Sequence, residues 1–272
     1  MNRTGNFLEE IVLHKRMEVQ SGKQSSDRDA MIQAAHAGAP VRSFLNALTE
    51  CPPPCIIAEI KRKSPSKGEL IQAPDVKKIA QGFATEGAAA LSVLTDERYF
   101  GGTLDDLRNI RSSVDIPVLR KDFIVDEFQI YESRAAGADT VLLIVKVLGN
   151  QLVRFIELSR ELGMEPLVEI HNEDELNTAI DAGSRIVGIN SRNLESFVTT
   201  TAVVLRLIEH VPKHLLTIAE SGITSSEIIS ELMQSGVHGF LIGEAFMRAP
   251  SPEKKLKEFI DKIRLSPNIE RR

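Results

Sequence analysis

The stretch CIIAEIKRKSPSKG, residues 55–68, joins a short apolar run to a turn and sets two opposite charges, Glu59 and Lys61, at the inner end of that run. In a β-strand, positions two apart face the same way. Glu59 and Lys61 therefore share the face that Ile57 turns into the core. The turn that follows, SPSKG, is neither GxGxxG nor a P-loop. A doubly wound open sheet normally carries such a glycine fingerprint after its first strand. The stretch thus reads as the first strand of a different kind of parallel sheet, with charge at its end.

Working outward, the same pattern recurs. Short apolar runs lie at 56–60, 89–94, 116–120, 140–146, 165–170, 185–190, 215–220 and 239–243, rich in β-branched residues and bounded by Gly, Pro, Asp or Asn. Buried parallel strands have this look. Helically spaced segments separate them, at 75–87, 104–113, 127–137, 151–163, 173–183, 201–211, 226–236 and 254–265, and most close on Gly, the expected residue just past a helix end. Eight βα units in about 210 residues predict an α/β fold, a single (β/α)8 TIM barrel. Residues 1–48 are expected to form an N-terminal helical extension of one or two helices packed on the barrel, and residues 49–272 the barrel itself. No low-complexity linker divides the chain, which predicts one domain.

Composition excludes several classes. The 272 residues are 42% hydrophobic and 26% charged, with a formal net charge of -5, which argues against a general nucleic-acid binder. No apolar run approaches the roughly 18–20 residues that span a bilayer. The N-terminal stretch MNRTGNFLEEIVLHKRMEVQ reads as an amphipathic helix with Phe7, Leu8, Ile11, Val12 and Met17 along one stripe, and its acidic residues exclude a signal peptide. Cys51 and Cys55 flank three prolines without other ligands nearby, so they read as reduced thiols of a cytoplasmic protein rather than a metal site, with a disulfide across the prolines as the alternative.

In a (β/α)8 barrel the C-terminal strand ends and the loops after them build the active site. Those positions collect Glu59, Lys61, Lys63 and Ser64 after the first run, and Arg120, Lys121, Asp122 and Phe123 after the third. Lys146 follows the fourth, Glu169 and His171 the fifth, Asn190, Ser191, Arg192 and Asn193 the sixth, Glu220, Ser221 and Gly222 the seventh, and Gly243 and Glu244 the eighth. A single charge at a strand end means only that the strand has reached solvent. Inward-facing ionisable or amide groups at six strand ends crowd into one concave site, where charges must pair or shift their pKa. Glu59, Lys61, Lys121, Glu169, Asn190 and Glu220 are the residues expected there. Lys63, Lys146 and His171 fit the site and an ordinary strand end equally, and Arg120 has outward parity toward the helical layer.

ESG at 220–222 and GFLIGEAF at 239–246 add a second element. Loops after the seventh and eighth strands are the recurrent phosphate site of such barrels, where glycine lets the backbone come close to the anion. Turn geometry alone would also account for these glycines.

In order, the segments IKRKSPSKG, LRKDFI, INSRNL and AESGI, with NFLEEIVLHKRMEV, LSVLTDERYFGG and FLIGEAFMR around them, resemble the indole-3-glycerol-phosphate synthase family of tryptophan biosynthesis over nearly the whole chain. The resemblance implies ring closure of 1-(2-carboxyphenylamino)-1-deoxyribulose 5-phosphate with loss of CO2 and water, without metal or organic cofactor. It implies Lys121 as the general acid on the ketone oxygen and Lys61 as the lysine that holds the substrate carboxylate, the two being able to exchange acid duties. Glu169 matches the acid/base of the dehydration, and Glu59 and Asn190 complete the polar site. Arg192, Glu220, Phe123 and Ser64 fall at substrate-binding positions, and Lys63, Ser64, Ser221, Gly222 and Gly243 near the phosphate. Glu244 is the one discordant position, since an acid is unfavourable beside a phosphate unless it points away. The expected partner is a small phosphorylated substrate, with no nucleic acid and no membrane. Association with other enzymes of tryptophan biosynthesis leaves no signal in the sequence.

The chemistry of the residues agrees with that resemblance. Carbon attack on a ketone needs a proton donor, decarboxylation needs a positioned carboxylate, and loss of water needs acid and base in turn. The rivals are another phosphosugar barrel enzyme such as a phosphoribosyl isomerase, which the lysine pair disfavours, a Schiff-base aldolase, and a catalytically silent barrel acting as a binding partner. The N-terminal amphipathic helix is expected to cover the substrate site.

Overall fold

A computed structural model of the chain describes residues 7–65, 67–72, 74–193 and 198–265. The start of the N-terminal stretch, Ser66 of SPSKG and residues 194–197 of the INSRNL region lie outside the described residues. Among the described residues, eight parallel strands close into a barrel: β1 (Cys55–Ile60), β2 (Ala90–Leu94), β3 (Val118–Lys121), β4 (Thr140–Ile144), β5 (Leu167–Ile170), β6 (Ile186–Asn190), β7 (Leu216–Glu220) and β8 (Gly239–Ile242). Each pairs with its sequence neighbours, and β1 closes the ring on β8 with Ile57 opposite Leu241. The expected TIM barrel is the observed fold.

The strands are buried along almost their whole length, as a parallel sheet covered by helices requires. Their two side-chain parities divide into two apolar clusters. Ile57, Ala90, Leu119, Leu142, Leu167, Ile186, Ile218 and Leu241 fill the barrel interior. Ile56, Leu91, Val118, Val141, Val168, Val187, Ala219 and Phe240 face the helices. Interior parity carried two residues further along β1, β3, β5 and β7 reaches Glu59, Lys121, Glu169 and Glu220. The polar groups therefore stand on one level, above a filled apolar floor.

The N-terminal extension wraps the barrel from top to bottom. Three helices precede β1: α1 (Phe7–Ser25), α2 (Arg28–Ala37) and α3 (Phe44–Glu50), so the extension holds one more helix than the sequence suggests and residue 48 falls inside α3. Asp27 caps α2 and Ser43 caps α3, each side chain accepting from backbone N–H groups of the first turn. Phe44 and Leu48 of α3 join the interior cluster at the end where β1 begins, beside Cys55. At the opposite end, Leu8 and Ile11 of α1 lie over the strand tips. The segment linking α2 to α3 is fastened from outside, where Arg134 Nη2 donates to the carbonyl of Ala39 (2.5 Å) and the Arg42 amide donates to Asp139 (2.8 Å).

The barrel helices follow as α4 (Val76–Thr85), α5 (Leu104–Arg111), α6 (Glu127–Ala135), α7 (Leu152–Glu161), α8 (Glu173–Asp181), α9 (Ala202–Ile208), α10 (Ser226–Gln234) and α11 (Pro252–Arg264). One-turn helices at Glu97–Phe100, Val145–Leu148 and Glu244–Met247 lie in the loops at the strand tips.

Two details depart from the sequence expectations. The fourth strand ends at Ile144, because Val145–Leu148 turns helical, and Lys146 stands exposed on that turn. Met17 is exposed, off the buried stripe of α1, which runs through Leu8, Ile11, Lys15 and Val19. Lys15 itself is wholly enclosed. Arg120 faces outward as expected and reaches Glu132 (2.8 Å) and Ser133 (3.1 Å) of α6.

Candidate active site

The C-terminal strand tips line a cleft of about 830 Å³, counted out to its open mouth. Glu59, Lys61, Lys121, Glu169 and Asn190 form its polar wall, with Ser64, Arg192 and Ser221 at one side. Phe123, Phe100, Leu142 and Ile144 form an apolar wall, and Phe7, Leu8 and Ile11 of α1 form the roof. Phe100 and Phe123 lie tilted against each other, 6.2 Å between ring centroids. Phe7 meets Tyr99 edge-on at 5.5 Å, which anchors the start of α1 to the loop after β2.

Strand register decides who meets whom. Asn190 pairs with Glu220 across β6 and β7, and Glu169 with Gly188 across β5 and β6. Lys121 Nζ reaches into the middle of the barrel, 3.3 Å from Glu169 Oε2 and 3.3 Å from Glu220 Oε2. Lys61 Nζ binds Glu59 Oε1 at 2.5 Å. Asn190 Oδ1 accepts from the Arg192 amide (3.0 Å), which fixes the amide side chain and the turn after β6.

Burial and charge set the protonation states. Burial opposes the charge on Lys121, but the carboxylates of Glu220, Glu169 and Glu59 outweigh it and hold its pKa well above the ordinary lysine value. Burial likewise opposes ionisation of Glu59 and Glu169. Lys61 and Lys121 reverse this for Glu59, and Lys121 with His171 reverses it for Glu169, so both carboxyls stay below their usual range. Glu220 is the exception. Burial and the neighbouring Glu169 and Glu59 charges overcome Lys121 and push it up to about 8. Two carboxyls beside one ammonium thus divide the work, one ionised and one holding a proton near neutrality. Lys121 then keeps its charge chiefly through Glu169 and Glu59.

Space for this cluster comes from missing side chains. A Cβ on Gly188 would collide with Oε1 of Glu220, and one on Gly243 would stand 2.5 Å from Oε1 of Glu59. After β7, Ser221 (φ 63°) and Gly222 (φ 74°) are both left-handed. Glycine takes that conformation freely, whereas a serine is strained there. The Ser64 and Ser191 hydroxyls are buried near this corner with no hydrogen-bond partner. Glu244 turns toward Arg192 (3.6 Å) and Arg248 (3.8 Å).

Most residues singled out in the sequence come together here. Lys63 does not: it sits on a two-residue ribbon, Lys63–Ser64 paired with Gly68–Glu69, and its ammonium donates to the Arg98 carbonyl at 2.7 Å. Lys146 is exposed outside the cleft, and Gly222 and Gly243 are not among the residues that line it. Two residues at the site received no role from the sequence, Asp122, named there only as a strand-end position, and Gly188. Asp122 binds Lys15 (3.1 Å), Arg120 (3.0 Å) and Thr95 (2.6 Å). Gly188 had appeared only as a strand residue. Among the described residues no group of three or more His, Cys, Asp or Glu is arranged to hold a metal ion, and none of their helices is long and apolar enough to cross a membrane.

Fold and site together define a (β/α)8-barrel enzyme with an acid–base cleft under an N-terminal helix. Comparison with solved structures agrees on the fold alone: thiamine phosphate pyrophosphorylase from Pyrococcus furiosus has a TM-score of 0.56 at 16% identity, over 78% of this chain and 96% of that one. KGPDC from Streptococcus mutans has a TM-score of 0.59 at 13% identity, over 78% and 97%. Residues 8–259 match the family model described as indole-3-glycerol phosphate synthase. Proteins of that name from Roseiflexus sp. (strain RS-1) and Bacteroides thetaiotaomicron are 44% and 41% identical, over 93% and 95% of this chain and 97% and 99% of theirs. The chain belongs to the indole-3-glycerol phosphate synthase family. Its activity is the carboxy-lyase reaction of tryptophan biosynthesis, ring closure of 1-(2-carboxyphenylamino)-1-deoxyribulose 5-phosphate with loss of CO2 and water.

Proposed function

We propose that the cleft carries out this reaction by general acid–base catalysis, with Lys121 as the acid that protonates the substrate ketone as the aryl carbon attacks it. The observation that carries the reading is the Lys121 ammonium, buried between Glu169 and Glu220 and lining the cleft. The neighbouring carboxylates raise its pKa and favour the protonated ammonium. Transfer becomes favourable only as the ketone oxygen gathers alkoxide charge, so the proton moves with C–C bond formation and not before.

Lys61 holds the substrate carboxylate until it leaves as CO2, with Glu59 keeping that ammonium oriented. Glu169, ionised and 3.3 Å from Lys121, acts as base and then acid in the dehydration. Asn190 and Arg192 hold the substrate chain, Glu220 packs against the Lys121 ammonium and keeps it in place, and the Phe123 wall with Phe100 receives the aromatic ring. The phosphate is assigned to the Ser64, Ser221, Gly222 and Gly243 corner, where unpartnered hydroxyls and a glycine turn offer donors. Lys63 joins it only by releasing Arg98. Helix α1 acts as the lid. We infer a cytoplasmic location, in keeping with free Cys51 and Cys55.

Borohydride added during turnover separates this reading from Schiff-base chemistry. Unmodified Lys121 and Lys61 are expected, with turnover falling only as borohydride reduces the substrate ketone itself, and a reduced adduct on either lysine would sink the non-covalent mechanism.

A further inference from the structure

Beside Glu169, on the side away from Lys121, stands His171. Its Nε2 is 3.5 Å from Glu169 Oε1, while Lys121 Nζ is 3.3 Å from Glu169 Oε2. Its other ring nitrogen, Nδ1, is 3.0 Å from Glu175 Oε2 in the first turn of α8. Glu175 is itself held in place. The His171 amide donates to its Oε2 (2.8 Å), Asn172 Nδ2 donates to its Oε1 (2.9 Å), and its own amide donates to Asn172 Oδ1 (2.9 Å). His171 is mostly buried, and its Nε2 has no hydrogen-bond partner.

A carboxylate accepts and does not donate, so Nδ1 carries a proton toward Glu175. That fixes the ring, and it leaves Nε2 as the atom that gains or loses a proton facing Glu169. When Nε2 is protonated, Glu169 is clamped at both oxygens, by His171 from the rim and by Lys121 from the barrel axis. When Nε2 is neutral, its lone pair faces a carboxylate oxygen, and Glu169 must turn away or take up a proton.

We propose that His171, oriented by Glu175, is a positioning residue for Glu169, holding the carboxylate ionised and correctly turned for the dehydration. The proposal rests on the role assigned above to Glu169. The groups that face His171 are Glu169 on β5, Glu175 on α8 and Glu220 on β7, with Lys121 on β3 behind Glu169. Glu175 and Glu169, joined by Glu220 once it is ionised, outweigh the opposing effect of burial and raise its pKa above the ordinary histidine value. The clamp is therefore present at lower pH and released as pH rises through that raised value.

The test is kcat and KM against pH for the full chain, His171→Gln, Glu175→Gln and Glu169→Gln, with the urea midpoint followed at each pH. His171→Gln is expected to lower kcat by on the order of tenfold with KM changed less than twofold. It should also remove one ionisation from the alkaline limb. Glu175→Gln removes a carboxylate that touches His171 and not Glu220, so it should move that limb to lower pH. A parental profile in His171→Gln, or a limb that stays put in Glu175→Gln, overturns the proposal even where stability falls. Parental turnover in Glu169→Gln would instead overturn the role of Glu169, and the proposal with it.

Discussion

The ammonium of Lys15, on the inner face of α1, lies 3.1 Å from Oδ1 of Asp122, the residue that follows Lys121. It also lies 3.1 Å from Oδ2 of Asp96 and 3.0 Å from Glu18. Burial works against this charge, but Asp122, Asp96 and Glu18 outweigh it and hold the Lys15 pKa above the ordinary lysine value. Helix α1 is thus fastened over the cleft by charge as well as by its apolar stripe, and the fastening point adjoins the proposed general acid.

Lys15→Met keeps the length of the side chain and removes its charge. Asp122 retains Arg120, but Asp96 is left buried without its cation. Breaking a buried pair from one side costs about 3–5 kcal/mol. The urea midpoint should fall accordingly, and KM should rise more than kcat falls because the roof over the substrate loosens. A variant with parental KM would make α1 a structural brace and not a lid.

Gly188→Ala places a methyl group against Oε1 of Glu220. Overpacking of this kind typically costs about 1–3 kcal/mol. The larger effect should be on turnover, because Glu220 is pushed out of its contact with Lys121. Unchanged kcat in a folded variant would mean that Glu220 does not need its present position.

For Glu220 the sign of the pH effect is fixed by its raised pKa. The folded protein binds a proton that the unfolded chain releases near pH 4.5, and holds it until about 8. Stability from this group is full below the unfolded value and is lost as pH rises toward 8. Glu220→Gln cannot titrate. Its stability relative to the parent should climb between pH 5 and pH 8, by up to roughly tenfold in the folding constant per pH unit. Parallel stability curves would show that the carboxyl is ionised throughout.

Much of the site was legible because strand parity is strict. Glu59 and Lys61 two apart, followed by a glycine-poor turn, pointed to a barrel with charge at its strand tips. Lys15 was not legible. In the sequence it is one more basic residue on an amphipathic helix, and the partners that bury it, Asp96 and Asp122, belong to distant loops. Lys146 misled because TVLLIVK continues as a strand in composition, while the chain turns helical after Ile144. Gly188 carried no signal of its own, since the side chain that needs its space sits on the neighbouring strand.

Lys61→Met separates binding from chemistry. A charge-assisted contact to a carboxylate contributes about 1.5–3 kcal/mol. If Lys61 holds the carboxylate in ground state and transition state alike, KM should rise by about tenfold or more with a smaller fall in kcat. A collapse of kcat at unchanged KM would instead transfer the acid role to Lys61.

The most direct test follows indole fluorescence as purified protein is mixed with 1-(2-carboxyphenylamino)-1-deoxyribulose 5-phosphate, for the parent and for Lys121→Ala. Fluorescence should grow with the parent and be absent with a variant that still folds and still binds substrate. Undiminished turnover by Lys121→Ala would contradict the assignment of Lys121 as the general acid.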